Sequence, residues 1–93
     1  MLKKFIVVNC ANGKELEIKG ASLDAVTEEF AKLAFKEGSW NKDIPAGFKK
    51  NEGYFLTGLD KESGYFTPYM ILPKLQYAKR KEYVNKLKEI AKS

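Results

Sequence analysis

The chain has 93 residues, 17 Lys+Arg against 12 Asp+Glu for a net charge of +5, and 44% hydrophobic residues. That length predicts one domain, because a second core generally appears only at roughly 100–200 residues per domain; the apolar fraction excludes a disordered chain, and no run approaches the ~20 apolar residues of a membrane helix. Zero histidines and a single cysteine, Cys10, exclude an intrachain disulfide framework, a Cys/His zinc site and every histidine-based acid–base mechanism.

Lys3 and Lys4 precede Phe5-Ile6-Val7-Val8, which imitates the start of a signal peptide. The apolar run is shorter than the roughly 7–15 residues of such a segment, and Asn9 ends it. It reads as a strand, which places the protein in the cytoplasm and leaves Cys10 a free thiol. Glu15 to Lys19 alternates polar and apolar, and Asn12-Gly13 between the two runs is a strong hairpin signal over 3–20. With Asn12 and Gly13 at the centre of a two-residue turn, Cys10 faces Glu15, Val8 faces Glu17 and Val7 faces Ile18. One face then carries Phe5, Val7, Leu16 and Ile18 as core, and the other carries Ile6, Val8 and Cys10 beside charges.

Ser22 has the chemistry of an N-cap, Asp24 suits the first turn and Gly38 follows the end, so a helix is expected over 22–37. Leu23, Val26, Phe30, Leu33 and Ala34 form its apolar stripe, and Phe35 falls off it as a side contact. Residues 39–52 follow neither period. A loop longer than about 12–15 residues is uncommon in a compact domain and is often functional, or hides a short element. The stretch from Ile44 to Phe48 is expected to tuck one or two side chains onto the core.

A second hairpin over 53–71 turns around Asp60 to Ser63. Pro68 cannot donate to a ladder, so its strand is expected at an edge or broken there. Adjacent Tyr-Phe pairs put the two rings on opposite faces, with the tyrosines outside. Pro73 then opens a helix over 73–92 that holds the whole charge excess. Ten lysines are matched by ten acids before residue 73, whereas Lys74, Lys79, Arg80, Lys81, Lys86, Lys88 and Lys92 face only Glu82 and Glu89. Tyr77, Tyr83, Val84, Leu87, Ile90 and Ala91 make the inner face of that helix. Arg80, the only arginine, projects into the apolar arc, where it is expected to lie over Tyr77 or Tyr83 with its guanidinium in solvent.

The order β-β-α-β-β-α predicts a two-layer α+β domain, an antiparallel sheet with both helices on one face. The other face would carry Ile6, Val8 and Cys10 and invite a partner or a homodimer, unless the two halves pack face to face. No catalytic, cofactor-binding or metal-binding residue emerges. Gly13-Lys14 lacks the glycine and Ser/Thr spacing of a phosphate loop, and Glu28-Glu29 and Asp60/Glu62 are ordinary solvated carboxylates.

The function expected is therefore a small non-enzymatic binding module acting on a protein partner, with Trp40, Tyr54, Tyr65 and Arg80 as contact residues. A compact, lysine-rich chain without motifs suits an accessory or inhibitor protein of phage or mobile-element origin. The alternative is non-specific nucleic-acid binding through Lys74, Lys79, Lys81, Lys86, Lys88 and Lys92. That alternative is weakened by the near absence of arginine, the residue that reads bases and phosphates bidentately.

Overall fold

The computed structural model describes the backbone of residues 2–92 and the side chains of residues 2–90. It is an α+β structure: β1 (Lys3–Asn9), β2 (Glu15–Gly20), α1 (Leu23–Ala34), β3 (Asn41–Asp43), β4 (Tyr54–Leu59), β5 (Phe66–Pro73), α2 (Lys74–Lys79) and α3 (Lys81–Lys92). The five strands form one antiparallel sheet in the order β2-β1-β5-β4-β3.

The helices do not share a face. α1 packs Leu23, Val26 and Ala31 onto Phe5, Val7, Tyr54, Leu56 and Ile71. Val84 of α3, with Tyr77, Tyr83 and Leu87, packs on Ile6, Val8, Cys10, Met70 and Leu72 of the opposite side. The expectation of two helices on one face, and of an open face at Ile6, Val8 and Cys10, is therefore corrected. The cause lies in the central strands. Phe5-Ile6-Val7-Val8 and Met70-Ile71-Leu72 are buried without alternation, and a run apolar on both sides must be covered on both sides.

The first hairpin keeps its expected faces with a different register. Val8 pairs with Glu15, Val7 with Leu16 and Phe5 with Ile18, two residues from the expected alignment, so every side chain stays on its side of the sheet. The Asn9 side-chain carbonyl accepts hydrogen bonds from the Ala11 N–H (2.9 Å) and the Asn12 N–H (3.3 Å), drawing residues 9–12 into a wider turn. Gly13 closes that turn at φ 77°, a left-handed conformation that glycine adopts without strain.

Ser22 caps α1 as expected, its hydroxyl accepting from the Ala25 N–H at 3.1 Å. The helix ends at Ala34, earlier than expected, because Phe35 turns to extended backbone, bridges Asp60 and enters the core. The irregular segment 39–52 conceals β3 and lays Phe48 on the α3 side of the sheet. β5, expected at an edge or broken at Pro68, is the central strand, and its ladder with β1 stops just short of Pro68. Pro68 is tolerated because it lies one residue past the last β1–β5 register pair, Asn9↔Tyr69, while its carbonyl accepts from the Cys10 N–H at 2.9 Å.

The C-terminal helix is divided at Arg80 (φ −109°, ψ 20°) into α2 and α3. No proline or glycine forces the break. Its result is that Tyr77 before it, and Tyr83, Val84 and Leu87 after it, reach the same apolar cluster.

Candidate functional site

The two faces differ in how completely their helix covers them. On the α1 side the helix leaves an open groove of about 920 Å³ bounded by β2, α1 and the β4–β5 turn. Four large apolar side chains line it and stay solvent-exposed: Leu16 (54%), Leu33 (79%), Tyr65 (77%) and Phe66 (70%). A monomer normally scatters such residues singly, whereas here four of them gather around one concavity.

The groove floor is held by aromatic packing. Phe30 of α1 meets Tyr69 of β5 edge to face at 5.0 Å between centroids, and Tyr69 meets Phe35 at 5.5 Å. The Tyr69 hydroxyl donates to the Asp60 carboxylate at 3.2 Å and accepts from the Asn9 side-chain amide at 3.5 Å. Burial, and then the neighbouring Asp60 carboxylate, push the Tyr69 phenol up to about 12, so it is neutral at physiological pH. The other Asp60 oxygen accepts the Glu62 N–H at 3.0 Å and shapes the β4–β5 turn. Charged groups around the rim are mixed, with Lys14, Lys19 and Lys61 beside Glu15, Glu29 and Glu62.

Of the four residues expected at a partner surface, Tyr65 alone lies in the groove. Tyr54 points inward, 5% exposed, and its hydroxyl donates to Asp24 of α1 at 2.5 Å while the Lys42 ammonium lies 4.7 Å from its ring. It belongs to the core because α1 brings an acceptor to its hydroxyl. Trp40 is half-buried and stacked on Phe35 at 6.5 Å, seated over Gly58. Arg80 lies 4.4 Å over the Phe48 ring, donates to the Gly47 carbonyl at 3.1 Å and reaches Glu52 at 3.6 Å. Its stacking partner is a loop residue rather than Tyr77 or Tyr83, and its polar contacts are within the chain.

The opposite side of the sheet is fastened by charge. Lys74 binds Glu17 at 2.7 Å, Lys88 binds Glu15 at 2.7 Å, and the Tyr77 hydroxyl donates to the same Glu15 carboxylate. Two of the six lysines proposed for phosphate contact are thus turned toward β2. Lys79, Lys81 and Lys86 are exposed, and the Lys92 side chain lies outside the described residues. Cys10 is buried among apolar neighbours, and this burial, partly offset by Lys88, raises its thiol to about 11. The cause is desolvation; Glu15 pairs with Val8 and does not face Cys10.

In the sequence Leu16, Leu33 and Phe66 look like core residues, because each satisfies the periodicity of its element. The one available signal was Thr27 and Ala31, which with Leu23 and Val26 form a second helical row. Burying that row instead turns Leu33 to the flank of α1.

Among the described residues, no group of three His, Cys, Asp or Glu could hold a metal ion, and no helix is long and apolar enough to cross a membrane. Comparison with protein-family models, with curated proteins and with solved structures finds no match.

Proposed function

We propose that this chain is a non-enzymatic binding module for a protein partner, which it engages through the groove beside α1. The observation that carries this reading is the cluster of Leu16, Leu33, Tyr65 and Phe66, exposed around one concavity. Aromatic and aliphatic anchors within a polar rim are the composition of protein interfaces. The mixed rim charge favours a protein over a polyanion, which would call for a run of cations. The groove's ionisable floor groups, Tyr69 and Asp60, are occupied in holding the fold together.

Nucleic-acid binding through the C-terminal helix is the weaker reading, since Lys74 and Lys88 are paired to β2 carboxylates. Affinity capture from the source cell separates the two. Wild-type protein is expected to retain a specific protein, and Leu33→Asp to lose it while folding normally. Equal retention by both would remove the groove from the account. Anisotropy against labelled duplex at two salt levels tests the alternative. Salt-dependent binding abolished by Lys79→Glu, Lys81→Glu and Lys86→Glu would establish it instead.

A further inference from the structure

The sheet ends in two edges, and they are built differently. β3 is three residues long and is followed closely by Pro45, a common way of blunting an edge. β2 is six residues long, with no proline and no bulge in its register. The Asn9 N–H donates to the Lys14 carbonyl at 2.8 Å, so the hydrogen-bonded pairs of the β1–β2 ladder are Asn9 with Lys14, Val7 with Leu16 and Phe5 with Ile18. By alternation, Glu15, Glu17 and Lys19 turn both backbone groups away from β1.

We infer that β2 pairs antiparallel with the β2 of a second copy of this chain, centred on Glu17, to make a continuous ten-stranded sheet from two five-stranded ones. Only odd-numbered residues offer hydrogen bonds on this edge, so the register is restricted to odd opposite odd. Centring on Glu17 uses all three. It sets Glu15 opposite the second copy's Lys19, Leu16 opposite its Ile18, and Glu17 opposite its Glu17.

The charges suit that register. Lys19 has Lys4 as its neighbour across β1, a like charge that a carboxylate on the free side relieves. The second copy's Glu15 supplies that carboxylate through the oxygen that its Lys88 and Tyr77 do not hold. The two Glu17 carboxylates meet at the twofold axis, and each already holds its own Lys74 at 2.7 Å, which offsets their repulsion. On the α1 side, exposed Leu16 gains an apolar cross-strand neighbour. An isologous contact of this kind closes on itself and stops at two copies.

Cysteine cross-linking reads this register directly, because buried Cys10 leaves a quiet background. Hydrogen-bonded antiparallel pairs have Cα atoms about 5.5 Å apart, within disulfide reach. Glu17→Cys is expected to form a covalent dimer under mild oxidation. Lys19→Cys alone is expected to form no covalent dimer, since the two positions lie more than about 10 Å apart. Mixing Glu15→Cys with Lys19→Cys is expected to cross-link. Glu17→Pro removes the outward N–H and the exposed carboxylate that Lys74 holds but leaves the β1–β2 ladder intact, so it is expected to fold while weakening association at least ~10-fold in sedimentation equilibrium, through loss of both central hydrogen bonds. A wild-type chain that sediments as a monomer up to millimolar concentration, or Glu17→Cys cross-linking no better than Lys19→Cys, would overturn the inference. Neither result bears on capture of a partner by the groove.

Discussion

Two helices of 12 residues, α1 and α3, cover the two faces of one sheet, and the α1 side leaves an open groove along β2. α3 is tied across the sheet to β2 by Lys88 and Glu15, and α2 by Lys74 with Glu17 and by Tyr77 with Glu15. α1 spans from Leu23 to Ala34 without a comparable tie to β2, and there Leu16 and Leu33 stand exposed. Covering a face with a helix thus does not seal it. On the α3 side polar ties hold the far edge, and on the α1 side an apolar groove is left open.

The largest expected effect comes from removing apolar atoms on the α3 side of the sheet. Met70→Ala empties a fully buried position between β1 and α3, and a loss of about 2–5 kcal/mol is expected in urea unfolding. Next in size is Gly58→Ala. An added Cβ would meet the Trp40 Cβ at 2.6 Å and the Phe35 ring at 2.7 Å, so a loss of about 1–3 kcal/mol is expected, with altered tryptophan fluorescence. Thr27→Val should move the other way. The Thr27 hydroxyl is buried without a hydrogen-bond partner, and replacing it with a methyl should stabilise by about 1 kcal/mol in the same assay.

A smaller effect tests the charge tie itself. Burial works to raise the Glu15 carboxyl, but hydrogen bonds from Lys88 and Tyr77 and the charges of Lys88 and Lys81 outweigh it, holding the group below its ordinary 4.5. Its contribution is therefore complete above about 4.5 and is lost as pH falls through the depressed folded value. Because Glu15 is a third exposed, its worth is at most about 1 kcal/mol. Glu15→Gln should be slightly less stable than wild type at neutral pH and converge on it below that window, as followed by thermal melts. Smallest of all on stability is Leu33→Ala, expected within about 0.5 kcal/mol of wild type because the side chain is exposed, yet it should weaken partner capture.

Local chemistry made the first hairpin, the capped start of α1 and the second hairpin readable from the residues. Asn12-Gly13, Ser22 and the Gly-Tyr-Phe runs each act within a few positions. The layer arrangement is also written in the chain, in the unbroken apolar runs Phe5 to Val8 and Met70 to Leu72, although the element order alone is equally compatible with both helices on one face. Pro68 marks where one ladder of β5 stops, but whether its strand is an edge or central depends on where the neighbouring strand ends, and that is a tertiary fact. The groove was the least legible element. Leu16 and Leu33 keep the periodicity of core residues, and their exposure follows from how far α1 reaches over β2. Tyr54 was lost to the surface by a single acceptor, Asp24, thirty positions away.

The most direct test of the account places a photo-cross-linking amino acid at Leu33 in one variant and at Lys81 in another, each expressed in the source cell. The account predicts a protein adduct of defined mass from position 33 and none from position 81. Adducts formed from position 81 alone, with protein or with nucleic acid, would contradict it.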